Sequence, residues 1–136
     1  MPFVPFCDGW EPDTDPPAYL GWYAASLASA DPAVVDAATI PVERIAGRVV
    51  LVAGGDDQVW PAADFAAAIA ARRDAHGLPT SVVTAPDAGH RVLLPGETPV
   101  EGGQRMRRGG TVDADRALGE RAWPHVVDAL GLAAYR

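Results

Sequence analysis

The stretch RVVLVAGGDDQVWP, Arg48 to Pro61, decides the fold. Its first six residues, Arg48 to Ala53, are RVVLVA, an arginine followed by an uninterrupted run of β-branched and aliphatic side chains. That run suits a strand buried on both faces, because one open face would make every second residue polar. Gly54-Gly55-Asp56-Asp57 then supplies turn chemistry. Beyond Trp60-Pro61, Ala62 to His76 is Ala-rich, carries Phe65 and Ile69 on one helical face and is closed by Gly77. Thr80 to Thr84, TSVVT, is a second short strand, followed by Pro86-Asp87-Ala88-Gly89-His90 and a Gly- and Arg-rich loop to about Gly110. Thr111 can cap a last helix through Leu130, kinked at Pro124 and stopped by Gly131. Strand, loop, helix, strand, loop, helix is a βαβα order. It predicts an α/β fold with parallel strands, a right-handed crossover and covering helices. In such sheets ligands bind beyond the carboxyl ends of the strands, where GGDDQVWP and PDAGH both lie.

Upstream of Arg48 the pattern is looser. Residues 1–17 are rich in Pro, Asp and aromatics and read as an extended lead-in. Tyr19 to Ala30 has Leu20, Tyr23 and Leu27 at helical spacing. Asp31-Pro32 provides an N-cap followed by Pro at the first helical position, so a short helix runs to about Ala38 until Ile40-Pro41 breaks it. The whole chain, 1–136, reads as one partial domain. Residues 1–47 form the lead-in and first helices, and 48–136 form the βαβα portion.

Composition excludes several classes. Hydrophobic residues make up 49% of the chain, enough for a core. A net charge of −7 argues against nucleic-acid binding, which needs a basic face. No apolar run approaches the ~20 residues of a membrane span, and MPFVPFCDGW has no signal-peptide pattern. A single cysteine, Cys7, rules out an intramolecular disulfide framework and a cysteine-rich zinc site. The expectation is a cytoplasmic protein with no cofactor and no metal. Every basic residue is Arg and none is Lys, which reads as a codon bias toward G and C.

Asp57 and His90 are the residues that can carry chemistry. A Ser-His-Asp system needs a carboxylate to orient an imidazole. Adjacent strands are about 4.8 Å apart, so loops at their ends bring an Asp and a His within reach. The stretch between the two positions accommodates one helix and one strand, and acid before histidine is the α/β-hydrolase order. Asp56 is the competing carboxylate. Asp57 is preferred because the turn is complete by then. The bland alternative is that either Asp only satisfies backbone N–H groups in a turn. His76, at a helix end, reads as a complement to the helix dipole, and His125 as a surface or packing residue. Arg91, Arg105, Arg107 and Arg108 form either a solvated loop or an anion-contacting lid.

IPVERIAGRVVLVAGGDDQVWP, AARRDAHG and PDAGHRVLLPGETP, with the opening PFVPF and the closing GGT…WP, resemble the C-terminal domain of acyl-CoA thioester hydrolases and bile-acid-CoA:amino acid N-acyltransferases. The resemblance implies the C-terminal part of an α/β-hydrolase fold with an incomplete sheet, Asp57 and His90 matching the triad acid and base. It places the nucleophile in a G-x-[SC]-x-G elbow upstream of the segment matching PFVPF. No such elbow occurs in this sequence. Ser26, Ser29 and Ser81 lack flanking glycines, and Phe6-Cys7-Asp8 is not a strand-to-helix turn. Two functions follow as expectations. One is the acid/base portion of a thioester hydrolase or acyltransferase, inactive alone, whose complete enzyme takes an acyl-CoA thioester or related ester. The other is a non-catalytic module that folds by pairing its open sheet with a partner. The partners expected are that substrate and, through the open sheet, another copy or an N-terminal segment, with no nucleic acid and no membrane.

Overall fold

A computed structural model describes residues 3–100 and 102–132. The first two residues of the expected lead-in, Glu101 of the long loop and the last four residues lie outside the described residues. Residues 3–19 contain no helix or strand. Then follow α1 (Leu20–Ser29), α2 (Pro32–Ala38), a 3-10 turn (Val42–Arg44), β1 (Val49–Gly54), α3 (Ala62–Asp74), β2 (Thr80–Ala85) and α4 (Val112–Ala129). Local chemistry sets several of these boundaries. Asp31 Oδ1 accepts the Ala33 N–H at 2.7 Å with Pro32 at the first helical position, and Thr111 Oγ1 accepts the Ala114 N–H at 3.2 Å. Both are N-caps that satisfy a donor the helix itself leaves bare. The helix α4 continues through Pro124.

The two strands pair in parallel, Val49 opposite Thr80 through Gly54 opposite Ala85, with α3 as the crossover. Side chains alternate along β2. Val83 packs with Ala88, Leu118 and Ala122 in the core beneath α4, whereas Thr80 Oγ1, on the opposite face, accepts a 2.9 Å hydrogen bond from Arg73 of α3. The helices therefore cover opposite faces of the sheet. This is a mixed α/β architecture with a two-stranded open parallel sheet, as the resemblance implied.

Two sequence expectations need correction. The first strand is not buried on both faces: Val49 to Val52 are half-buried, only Ala53 and Gly54 are buried, and Val82 of β2 is 45% exposed. Among the described residues neither strand has a second strand neighbour. Phe65 does not lead the buried face of α3 either. It is exposed, and Ala66 and Arg73 are buried instead, with Ile69 half-buried. In so Ala-rich a helix two apolar side chains fix the rotation poorly. A buried arginine fixes it: Arg73, 1% exposed, donates through Nη1 to Val42 O (2.8 Å) and Ile45 O (3.0 Å) and through Nη2 to Gly47 O (3.4 Å). Those bonds tie the entry of β1 to the crossover helix, satisfying carbonyls that have no strand partner. The neighbouring Arg72 forms a two-pronged pair with Glu43, at 2.6 and 3.0 Å.

Candidate functional site

Three loops meet at the carboxyl ends of the strands. In the first, residues 55–60, Gly55 N–H donates to Ala85 O (2.8 Å) and Asp56 N–H to Ala88 O (2.9 Å), so the loop after β1 is pinned onto the loop after β2. The third is the long loop before α4. Its Arg108 carbonyl accepts N–H groups from both neighbours, from His90 at 2.9 Å and from Gln58 at 3.3 Å. The loops approach so closely at Gly89 that a Cβ there would overlap the carbonyl oxygens of Gly109 and Arg108. Only glycine permits that backbone-on-backbone contact.

The two carboxylates in the first loop divide the work. Asp56 knits the loops, accepting the Gly110 N–H through Oδ2 at 2.8 Å and the Gln58 amide through Oδ1 at 2.7 Å. Asp57, its side chain 4% exposed, uses Oδ1 for the N–H groups of Val59 (2.8 Å) and Trp60 (3.2 Å). Its Oδ2 accepts a 3.0 Å hydrogen bond from His90 Nδ1. Asp57 thus closes the turn through one oxygen and bonds the imidazole through the other. With Oδ1 held by two N–H groups the carboxylate cannot rotate freely, and Oδ2 stays aimed at the imidazole. An imidazole that donates Nδ1–H to a carboxylate presents an unprotonated Nε2, the base form. Among the described residues Nε2 has no hydrogen-bond partner, and the ring is 22% exposed. Trp60 stands edge-on to it, with ring centroids 4.8 Å apart and an interplanar angle of 79°. An edge-to-face contact of that kind fixes the tilt of the imidazole.

The sequence did not point to Asp115. This residue of the first turn of α4 is buried, and its Oδ1 accepts the Gly89 N–H at 2.7 Å while its carbonyl accepts Leu93 N–H at 3.2 Å. It holds both ends of the segment that carries His90. Burial pushes its carboxyl above the usual range, against the opposing Gly89 hydrogen bond and with a smaller contribution from Asp56. The only signal was its place among first-turn acids, which reads as surface charge.

The remaining candidates lie elsewhere. Cys7 N–H donates to Ser26 Oγ at 3.0 Å, and Ser26, buried in α1, donates back to Trp22 O at 2.7 Å. Neither touches His90. His76 Nδ1 donates to Arg72 O at 2.9 Å, capping the last turn of α3, and His125 is exposed. Arg105 pairs with Asp15, while Arg91 and Arg108 line a cavity beside the His90 segment. Among the described residues no group of three or more His, Cys, Asp or Glu is placed to hold a metal ion, and no helix is long and apolar enough to cross a membrane.

Residues 24–130 match the family described as "BAAT / Acyl-CoA thioester hydrolase C terminal". No curated protein and no solved structure matches the chain.

Proposed function

The chain belongs to the BAAT / acyl-CoA thioester hydrolase C-terminal family, and from that premise we propose that Asp57 and His90 are the acid and base of a triad acting on acyl thioesters, with the nucleophile supplied from outside this sequence. The observation that carries the reading is the 3.0 Å bond between His90 Nδ1 and Asp57 Oδ2 at the carboxyl ends of two parallel strands. In the assembled enzyme Nε2 takes the proton of a Ser hydroxyl or Cys thiol as that group attacks the thioester carbonyl. The protonated ring, stabilised by Asp57, returns the proton to the departing thiolate. His90 then deprotonates a water or amine as it attacks the carbonyl of the acyl-enzyme; the bond to the Ser oxygen or Cys sulfur breaks, that atom takes back the proton from the imidazolium, and the free acid or the N-acyl product leaves.

The test is released free thiol from an acyl-CoA. The chain alone should stay near the solvent rate, because a triad without nucleophile and oxyanion donors retains little. Joined to a nucleophile-bearing segment it should turn over, and His90→Ala should abolish that turnover. Cleavage by the isolated chain that survives Cys7→Ala refutes the reading.

A second reading has its own supporting observation. Each strand of the sheet has one edge without a partner among the described residues, and Val82 is exposed. A non-catalytic module that binds by strand addition would use such an edge. It predicts that His90→Ala leaves the protein's function intact.

A further inference from the structure

Immediately after His90 the chain forms one wall of a cavity of about 580 Å³, lined by Arg91, Val92, Leu93, Val100, Arg108 and Asp115 among others. That volume falls within the roughly 300–1,000 Å³ of small-molecule sites. Two arginines of this cavity have no carboxylate partner among the described residues. With 18 acidic residues and a net charge of −7, a guanidinium has carboxylates to choose from. Arg48, Arg72, Arg105 and Arg116 pair with Asp128, Glu43, Asp15 and Asp113. Arg91 pairs with none of the described carboxylates. Arg108 spends one Nη2 proton on Gln104 O at 3.0 Å and nothing more among the described residues. Both heads converge: the point where Gly103 would carry a Cβ lies 3.8 Å from Arg108 Nη2 and 4.0 Å from Arg91 Nη2. Two like charges gathered in one place repel unless an anion joins them. Glu97 and Asp115 line the same cavity with one oxygen each held, Glu97 Oε2 by the Leu94 N–H at 2.8 Å and Asp115 Oδ1 by the Gly89 N–H at 2.7 Å, and neither carboxylate forms an ion pair with Arg91 or Arg108.

We infer that this cavity is a phosphate subsite in which Arg91 and Arg108 clamp a phosphate of the thiol carrier whose thioester is cleaved at His90, an assignment that rests on the acyl-thioester reading of Asp57 and His90. Planar guanidiniums suit phosphate oxygens, which they bind through paired N–H groups. The subsite is coupled to the base through the backbone. Arg91 is the residue after His90, and the Arg108 carbonyl accepts the His90 N–H at 2.9 Å. A phosphate held there fixes the carrier's distance from the imidazole, which is how remote binding positions a reacting bond.

The experiment is calorimetric titration of the full chain with coenzyme A, with pantetheine, which lacks phosphate, and with inorganic phosphate. Coenzyme A should bind at least tenfold more tightly than pantetheine, and its affinity should fall with added salt. Arg91→Ala and Arg108→Ala should each weaken coenzyme A roughly tenfold or more, the loss of one charge-assisted contact, and leave pantetheine unchanged. Arg91→Lys, which disturbs the fold least, should fall between. Arg44→Ala removes the same charge from an exposed position outside the cavity and should change nothing. Equal binding of coenzyme A and pantetheine, or an equal loss in Arg44→Ala, overturns the subsite. Inorganic phosphate binding as tightly as coenzyme A overturns the carrier assignment. Because binding needs no nucleophile, failure here with thioester cleavage intact in the assembled enzyme removes the subsite alone. Coenzyme A binding by the chain, with no thioester cleavage once the nucleophile-bearing segment is joined, removes the Asp57–His90 reading alone.

Discussion

Replacing Asp115 tests how the His90 segment is held. In Asp115→Ala the buried Gly89 N–H loses its acceptor, now 2.7 Å away. An unsatisfied buried donor costs about 1–3 kcal/mol. For a domain of this size each kcal/mol lowers the melting temperature by about 4 °C, so a drop of roughly 4–12 °C is expected. Asp115→Asn keeps a carbonyl acceptor and removes the charge that burial penalises, so at neutral pH it should stay within about 1 kcal/mol of the wild type. The pH dependence has a definite sign. Burial raises the folded-state pKa of Asp115, so between the unfolded and folded values the native chain binds more protons. That contribution to stability is fully present below the unfolded value and is lost as pH rises through the folded one. The wild type should therefore gain on Asp115→Asn as pH falls from neutral toward about 4. Thermal unfolding by circular dichroism from about pH 7 to about pH 4 measures all three proteins across the carboxylate range. A melting point for Asp115→Ala equal to the wild type's, or a gap between Asp115→Asn and wild type that ignores pH, refutes the reasoning.

Gly89→Ala forces a methyl group into the Gly109 and Arg108 carbonyls; denaturant unfolding should show a loss of about 1–3 kcal/mol, and an unchanged midpoint would mean the loops are not packed backbone to backbone. Glu43, its carboxyl held below the usual range chiefly by the Arg72 hydrogen bond, contributes stability above its unfolded pKa that disappears as pH falls through the folded one. Glu43→Gln should thus destabilise most near neutral pH and least in acid, and a penalty that grows on acidification would contradict the pairing. The open strand edges and exposed Val82 predict that the chain self-associates in sedimentation velocity; a monodisperse monomer at all concentrations would show that the edges are protected.

The parts of the fold legible in the sequence are those whose signal is local. VVLVA and TSVVT announce strands by composition, and Asp31-Pro32 announces a helix start by capping chemistry, because each depends on residues within a few positions. The Asp57 and His90 loops were legible because a parallel crossover fixes which ends of two strands lie together. The family resemblance, which the match over residues 24–130 bears out, rests on the same loops. What stayed hidden depends on partners distant in the chain. Asp115 lies 26 residues from the Gly89 it holds, in a stretch, VDADR, that reads as a charged first turn. Arg73 sits in AARRDAHG, indistinguishable by pattern from the exposed face of an amphipathic helix. It is buried where it donates to three carbonyls ahead of β1, two of which have no other partner among the described residues. The extent of strand burial was misjudged for a related reason. An apolar run reports that a strand can be covered on both faces, and only its neighbours determine whether it is.

Asp57 shows that closing a turn and binding an imidazole are compatible for one carboxylate. An Asp in a Gly-Gly-Asp-Asp turn is favoured because its side chain can satisfy backbone N–H groups that the turn leaves bare. That bonding immobilises one oxygen, and immobilising one oxygen fixes the direction of the other. The carboxylate that closes the turn through Val59 and Trp60 is for that reason the one able to hold an imidazole in one tautomer and one orientation. Asp56, one residue earlier, has both oxygens committed to the Gln58 amide and the Gly110 N–H, and no lone pair is directed at His90. The preference for Asp57 over Asp56 is therefore set by the backbone of the turn. Trp60 reinforces it: its N–H anchors the acid and its ring braces the histidine, so one residue ties the turn to both members of the pair.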